Sequence, residues 1–247
     1  MSDARHHWDR VYETKDATEV SWYRAHLDTS LALIDQAARN RTSAILDVGG
    51  GESTLVDDLV ARGYTDVTVL DVSEAALNAT KARLGAAEPG VHWVCGDATS
   101  VPLPETRFDV WHDRAVFHFL TDPRQREAYV AQAARSVRAG GHVVVGTFGA
   151  EGPPQCSGLE VVRYDADALR DQFAARFDRV CHLQEVHRTP LGREQQFVWC
   201  LLRLTGGPRE GYHYCERSSG GQNHESGPLG ARWLRGEGGW SWPGPER

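Results

Sequence analysis

Short apolar runs alternate with segments of helical periodicity along residues 27–148. Apolar runs bounded by turn residues predict buried strands, and the five predicted strands are Ile45–Val48, Val67–Asp71, Val91–Ala98, Phe108–Arg114 and Ala139–Phe148. Apolar residues spaced three and four apart predict helices around them, and the four predicted helices are Leu27–Arg39, Ser53–Gly63, Ser73–Leu84 and Asp122–Arg138. This alternation predicts a doubly wound, mostly parallel α/β sheet with right-handed crossovers.

The pattern changes after residue 148. Residues 153–158 are typical of a loop, and Asp165–Phe173 predicts a short helix. Two longer strands follow, at Arg179–His187 and Glu194–Leu204, with turn residues at 189–193 between them. We therefore expect a Rossmann-like sheet of seven strands that ends in a C-terminal antiparallel hairpin.

Composition divides the chain into three regions. Residues 205–247 hold eleven of the 25 glycines and few aliphatic residues. We expect this tail to be disordered, because it cannot bury enough apolar surface to offset the entropy cost of ordering. The other predicted regions are a helical N-terminal cap at 1–40 and the main α/β domain at 41–204.

The most informative motif lies between the first two strands. Gly49, Gly50 and Gly51 follow the first strand, and Asp71 ends the second strand. A glycine loop between a strand and a helix, with a carboxylate about 20 residues further on, is how α/β folds hold a ribonucleoside. A dinucleotide fingerprint would have its third glycine at position 54, where this chain has Thr54, so a pyrophosphate is disfavoured. A tight turn alone would need one glycine rather than three.

The glycine loop resembles the Asp-x-Gly-x-Gly-x-Gly pattern of class I S-adenosylmethionine (SAM)-dependent methyltransferases, with Ser53 in the place of the last glycine. Residues 91–98, 108–114 and 139–148 resemble the third, fourth and fifth strands of this family, in the same order. The resemblance extends over roughly residues 5–204. It implies SAM as the cofactor and a SAM-binding domain at 41–204.

The resemblance also implies a set of cofactor contacts. Asp47 and the backbone of Gly49, Gly50 and Gly51 would contact the methionine portion of SAM, Asp71 the ribose hydroxyls, Val72 the adenine, and Asp97 and Ala98 the adenine edge. His112 is a further candidate cofactor contact. From the residues alone, Asp71 and Asp97 also fit roles as helix and turn caps, and the two roles are compatible.

The segment after the fourth strand is expected to face the methyl acceptor. It resembles the corresponding stretch of small protein-lysine methyltransferases and of thiopurine-type methyltransferases. Asp113 fits both patterns, whereas Arg114 and His118 replace a lysine and an acid of the lysine enzymes, which disfavours a lysine acceptor. The candidate catalytic residues are Asp113, His118 and His112. A histidine suits a general base at neutral pH, and a packed, hydrogen-bonded histidine is the alternative.

Aromatic side chains crowd the N-terminal segment. The resemblance implies that this segment folds over the cofactor and lines the acceptor pocket, and ordinary core packing is the alternative. The candidate substrate-binding residues are Trp22, Tyr23 and Arg114.

Charge and composition exclude several partners. The net charge of -7 argues against nucleic acid or an anionic membrane as a partner. The five cysteines form no Cys-x-x-Cys pair, so we expect neither disulfides nor zinc, and the acids near the fourth strand lack the Asn of metal-dependent enzymes. The cysteine pattern fits a reducing environment, so we expect a cytoplasmic protein. No run of 18 apolar residues occurs, so we expect no membrane span. We expect a monomer or weak dimer.

These observations lead to one expected function and its alternatives. We expect a methyltransferase that transfers the methyl group of SAM to a small-molecule substrate. The alternatives are a protein (lysine) methyltransferase and a catalytically silent SAM- or nucleoside-binding module. A dehydrogenase is disfavoured by Thr54 and by the C-terminal hairpin.

Overall fold

The computed structural model describes residues 3–205, 234–236 and 239–241 of the 247-residue chain. It contains two compact units, Met1–Cys215 and Glu216–Arg247. The first unit carries the α/β sheet with its helices.

The elements of the first unit follow the predicted order. Its helices are α1 (Asp3–Thr14), α2 (Asp28–Ala37), α3 (Leu55–Ala61), α4 (Glu74–Leu84), α5 (Pro123–Ser136) and α6 (Ala166–Phe173), with 3₁₀ turns at Gly85–Gly90 and Phe117–Phe119. Its strands are β1 (Ile45–Val48), β2 (Val67–Asp71), β3 (Val91–Cys95), β4 (Phe108–Arg114), β5 (Val137–Phe148), β6 (Gln155–Cys156), β7 (Leu159–Glu160), β8 (Phe177–Arg188) and β9 (Glu194–Leu204). The predicted strands and helices are present, and their ends differ from the prediction by a few residues at most.

Seven strands form one sheet in the order β3-β2-β1-β4-β5-β9-β8. The first five strands run parallel, and β9 runs antiparallel to both of its neighbours. The predicted Rossmann-like sheet with a C-terminal antiparallel hairpin is therefore confirmed.

The sheet is covered on both faces, which explains the unbroken apolar runs. Every residue of β1 and β2 is buried, as expected for parallel strands that lie between two helical layers. One apolar core contains Ile34 and Leu55 from α2 and α3, and the other contains Tyr129 and Leu169 from α5 and α6. The central strands contribute side chains to both cores.

Local signals set the ends of the helices. The Ser73 hydroxyl accepts a hydrogen bond from the Ala76 amide and caps α4, whose C-cap is Gly85 at a φ of 55°. Asp122 and Asp165 cap α5 and α6 in the same way. At α3 the N-cap is Thr54 and its side chain makes no capping bond, while Ser53 accepts the Leu55 amide at 3.2 Å. Ser53 therefore assists the start of α3 from one position further out than a standard N-cap.

Two segments differ from the predicted pattern. β5 begins at Val137 rather than Ala139, because a bulge with Gly140 at a φ of 75° shifts its pairing with β4. A positive φ is readily adopted by glycine. The loop predicted at 153–158 contains β6, which pairs with β7 in a two-stranded sheet. This pair was missed because two-residue strands carry no alternating apolar pattern.

The predicted disordered tail at 205–247 falls largely outside the described residues. Within it the structure describes β10 (Leu234–Gly236) and β11 (Gly239–Ser241), which pair antiparallel. The expectation of disorder, like the boundary expected at residue 40, stays a prediction.

The contact between β5 and β9 generates a test of the fold. A Cβ atom at Gly146 would lie 2.6 Å from the buried Trp199 ring. We expect Gly146→Ala to lower the free energy of unfolding by about 1–3 kcal/mol, because overpacking forces the ring or the strand to shift. Gly90→Ala is the matched control, since no atom lies within 4 Å of its Cβ position. Urea denaturation of the two variants measures the difference, and equal stability would contradict the assigned strand pairing.

Candidate functional site

A cavity of about 590 Å³ opens at the carboxyl ends of β1–β4. Open α/β sheets bind their ligands at this edge, and the volume lies within the range of roughly 300–1,000 Å³ found for small-molecule sites. Among the predicted cofactor contacts, those that line the cavity are Gly49, Asp71, Val72, Asp97 and Ala98.

The glycine loop is packed closely on both sides. A Cβ atom at Gly49 would lie 2.0 Å from Val116 Cγ2, and one at Gly51 would lie 2.7 Å from the Tyr12 hydroxyl. Both glycines also have positive φ, at 68° and 40°. The Thr80 hydroxyl of α4 donates to the Gly51 carbonyl at 2.7 Å and holds the loop from behind. Glycine is required here by backbone conformation and by close approach together.

Asp71 lies at the end of β2, where it is buried and lines the cavity. Burial raises the pKa of Asp71 to about 7, and the nearby charge of Asp47 also raises it. The hydrogen bond from the Ser73 amide lowers the pKa and so opposes this shift. The Ser73 amide donates to Oδ1 at 2.8 Å. The backbone amides of Gly51 and Val72 also lower the pKa, but the three hydrogen bonds together do not offset the effect of burial.

Asp97 follows β3 and serves in a turn as well as in the cavity wall. Its Oδ1 accepts bonds from the amide and the hydroxyl of Thr99, at 2.8 and 2.7 Å. Its carbonyl accepts the amides of Ser100 and Val101. No hydrogen bond within the described residues uses Oδ2, so the turn leaves one carboxylate oxygen for a ligand.

Asp47 and His112 form a buried pair behind the glycine loop. They are register partners on the adjacent strands β1 and β4, and His112 Nδ1 lies 2.8 Å from Asp47 Oδ1. Asp47 Oδ2 and His112 Nε2 are buried without partners, and His112 stacks on Trp199. Neither side chain lines the cavity. We expected both residues to contact the cofactor directly. In the structure the strand register turns the two side chains toward each other, outside the cavity lining, and a direct contact with the cofactor stays a prediction.

Asp113 shapes the loop after β4. One carboxylate oxygen accepts the Val116 amide at 2.8 Å, and the other accepts the Phe117 amide at 3.0 Å and the Tyr129 hydroxyl. Burial raises the pKa of Asp113 to about 6 even though the Tyr129 bond opposes the shift. Asp113 is fully buried and does not line the cavity. The structure thus gives this predicted catalytic residue a positioning role.

His118 is buried in the same loop. Its Nδ1 accepts the Phe148 amide at 3.3 Å, and its Nε2 is buried without a partner. Burial lowers the pKa of His118 to about 3, and the charge of Arg114 adds to this shift. A ring that resists protonation and lies outside the cavity lining is poorly suited to accept a proton from an acceptor. The position supports the packed-histidine alternative over the predicted base.

An aromatic wall closes the other side of the cavity. It consists of Trp8, Tyr12, Trp22 and Phe119, all of which line the cavity. The Trp8 ring centroid lies 5.2–6.0 Å from those of the other three, in edge-on and tilted contacts. Such contacts stabilise a preformed apolar surface. Of the two predicted aromatic contacts, Trp22 lines the cavity and Tyr23 does not.

Polar contacts hold the N-terminal segment in place. In α1, Asp9 accepts a bond from the Ser73 hydroxyl at 2.6 Å, and Arg5 pairs with Glu74 at 3.1 Å. Further along, His187 Nε2 lies 2.7 Å from the Ser21 carbonyl. The segment is therefore tied to both α4 and β8.

Arg114 ends β4 and lines the cavity beside the aromatic wall. Its Nη1 donates to the Trp22 carbonyl at 2.9 Å, and its guanidinium lies 5.0 Å from the Phe197 ring centroid. Nη2 is buried without a partner. Burial lowers the pKa of Arg114 to about 10, so the group is still cationic at neutral pH.

Several cavity residues carried no usable sequence signal. Val116, Leu120 and Gln125 come from the loop after β4 and the start of α5, and Cys156 and Glu160 come from the β6–β7 pair. Burial raises the pKa of the Cys156 thiol to about 12. Trp8 and Tyr12, spaced one helical turn apart, belong to the aromatic N-terminal segment that was expected to line the acceptor pocket, although they were not among the candidate substrate-binding residues.

The described residues contain neither a candidate metal cluster nor a candidate membrane-spanning helix. No group of three or more His, Cys, Asp or Glu side chains is arranged to hold a metal ion there. Nor does any helix in that part of the chain have the length and apolar character needed to cross a membrane.

Comparison with known sequences gives one family and two kinds of relative. Residues 45–141 match the family model described as methyltransferase domain. The ubiquinone/menaquinone biosynthesis C-methyltransferase UbiE of Roseobacter denitrificans is 32% identical over 120 residues, which cover 47% of each chain. The eEF1A lysine and N-terminal methyltransferase of Mus musculus is 26% identical over 55% of this chain and 20% of its own length. The chain therefore matches between about a fifth and about a half of the length of these relatives.

Solved structures share the fold. A protein of echinomycin biosynthesis, studied for conversion of a disulfide bond into a thioacetal group, aligns with a TM-score of 0.67 at 20% identity, over 81% of this chain and 91% of its own. The 1,6-didemethyltoxoflavin-N1-methyltransferase of Burkholderia thailandensis, solved with S-adenosylhomocysteine, aligns with a TM-score of 0.59 at 20% identity, over 82% and 84% of the two chains.

The network at Asp113 generates a stability prediction. Asp113→Ala leaves two amides and the Tyr129 hydroxyl without their acceptor. We expect the free energy of unfolding to fall by about 3–5 kcal/mol, as for other buried charged networks. Asp178→Ala, at an exposed position of β8, should change it by less than about 0.5 kcal/mol. Chemical denaturation measures both, and a stable Asp113→Ala protein would argue that the loop is held by other contacts.

Proposed function

We propose that the chain is a class I SAM-dependent methyltransferase that transfers a methyl group from SAM to a small-molecule acceptor, through the region at residues 45–141 that matches the methyltransferase-domain model. The observation that carries the proposal is one cavity that joins the glycine loop, Asp71 and Asp97 to an aromatic wall.

The residues at the sheet edge fit SAM. Asp71 is a buried carboxylate whose pKa is raised in spite of its backbone hydrogen bonds, so two ribose hydroxyls would further stabilise its ionised form. Asp97 has a carboxylate oxygen free for the adenine amino group. Val72 and Ala98 supply apolar surface for the adenine, and the close-packed backbone at Gly49 would lie against the methionine portion. Asp47 and His112 would act indirectly, by supporting the loop from behind.

The aromatic wall supports an acceptor of small size. Trp8 and Tyr12 of α1 line the cavity together with Trp22, and the polar contacts at both ends of this segment hold it there. This arrangement limits the acceptor to molecules that enter beside the cofactor. The similarity to UbiE, whose name describes quinone biosynthesis, is in keeping with this class of acceptor.

The chemistry requires little beyond alignment and exclusion of water. SAM supplies an activated methyl group, and transfer is an in-line displacement whose rate depends on the placement of the nucleophile. The apolar rings would exclude water and orient the acceptor. Because His118 and Asp113 lie outside the lining, we propose that they position the loop and take no proton from the acceptor.

A protein acceptor is the second candidate. The similarity to a lysine and N-terminal methyltransferase covers slightly more of this chain than the similarity to UbiE. Aromatic rings can bind an ammonium group, so the wall alone does not decide between the two. The transfer experiment below separates them.

Titration of Asp71 gives a pH prediction. Its carboxylate would bind the ribose hydroxyls in the ionised form, and its pKa is raised to about 7. We expect SAM affinity to rise about tenfold from pH 6 to pH 8, because the ionised fraction of such a group rises over this interval. Asp71→Asn should bind SAM more weakly and with a flat pH profile, while Asp178→Asn should keep the wild-type slope. Calorimetry at three pH values tests this, and a wild-type affinity that falls with pH would contradict it.

Methyl transfer is tested with radiolabelled SAM. The purified protein is incubated with methyl-labelled SAM and a cell extract separated into low-mass and protein fractions. We expect enzyme-dependent label in the low-mass fraction, and Asp71→Ala should reduce it at least tenfold through loss of charged hydrogen bonds. Asp178→Ala is the matched control. Label confined to protein would favour the second candidate, and SAM binding without any transfer would identify a silent module.

A further inference from the structure

We propose that the acceptor is an anion, bound through Arg114, with a flat apolar portion that packs on the aromatic wall. The inference rests on the proposed function, because it assigns the part of the cavity beside the cofactor contacts. It adds the chemical class of the acceptor and a residue that selects it.

Arg114 is a half-buried cation that forms no ion pair within the described residues. Among the described residues no carboxylate lies within the 4.0 Å of an ion pair with it, although ten other arginines there form such pairs. One guanidinium nitrogen is bonded to the Trp22 carbonyl, and Nη2 is buried and unpaired. Buried charges in proteins are normally paired, so this one is left for a ligand.

The nearby carboxylates form no ion pair with Arg114 within the described residues. Glu185 bonds Arg24 at 2.6 Å through one oxygen and Trp199 Nε1 at 2.9 Å through the other. Asp71 and Asp97, which also line the cavity, accept hydrogen bonds from Ser73 and Thr99 and are the proposed contacts of the cofactor. The third acid of the lining, Glu160, is exposed on β7. Among the described residues none of these carboxylates lies within ion-pair distance of Arg114.

The surroundings hold the guanidinium in a fixed orientation. The bond to Trp22 and the Phe197 ring beneath it restrain the plane of the group. A restrained guanidinium matches the two oxygens of a carboxylate, a geometry that a lysine ammonium does not reproduce. The adjacent rings of Trp22 and Phe119 offer apolar surface to the rest of the same molecule.

A cationic acceptor fits this site poorly. A lysine or amino-terminal ammonium would lie beside Arg114 and beside the cofactor's sulfonium, with like-charge repulsion from both. An anion is attracted by both.

The test uses matched pairs of small aromatic molecules. Benzoate, 4-hydroxybenzoate, anthranilate and indole-3-acetate are each compared with the corresponding carboxamide for binding to the S-adenosylhomocysteine-loaded full chain by calorimetry. We expect the wild type to bind at least one of the carboxylates tenfold or more tightly than its amide. Arg114→Gln should abolish the preference, Arg114→Lys should restore part of it, and Arg188→Gln, at an exposed ion pair on the β8–β9 hairpin, should leave it unchanged.

The outcomes separate this inference from the proposed function. If the wild type binds neither SAM nor S-adenosylhomocysteine, the proposed function itself fails. If it binds them and shows no preference for any carboxylate, the inference alone is overturned. A tenfold loss of S-adenosylhomocysteine affinity in Arg114→Gln would also overturn it, since Arg114 would then hold the carboxylate of the cofactor.

Discussion

The buried carboxylate of Asp113 organises the site more than any other group. It joins the end of β4 to the following 3₁₀ turn through two amides, and to α5 through the Tyr129 hydroxyl. The turn carries Val116, which lies against Gly49 so closely that no other residue fits there. One charge thus determines where the loop after β4 meets the glycine loop, and both loops form the wall of the same cavity.

The parts of the fold that were predicted correctly are those in which local and global requirements agree. β1 and β2 are apolar because both faces of a parallel sheet are buried. Ser73, Gly85 and Asp122 end or begin helices by bonds made within a few residues. Such signals need no knowledge of distant contacts, and the family resemblance supplied the order of the strands around them.

The sequence could not predict which way a side chain points, and the roles of the candidate site residues stay a prediction. Asp47, His112, Asp113 and His118 have the right chemistry and the right position in the chain, yet pair with each other or with the backbone behind the cavity. Strand register decided the first pair, and turn geometry decided the others. The β6–β7 pair was missed for a different reason, because its four residues are ordered by closure of a loop and have no pattern of their own.

Cys156 lines the cavity in which a methyl donor is proposed to bind, so the reactivity of its thiol matters. A methyl donor endangers every nucleophile nearby, and a thiolate is the strongest nucleophile that a side chain offers. With its pKa raised to about 12 by burial, only about one Cys156 thiol in 10⁵ is ionised at pH 7. Burial thus keeps this thiol protonated, and with SAM bound as proposed a protonated Cys156 would be a poor target for methylation by the enzyme's own cofactor.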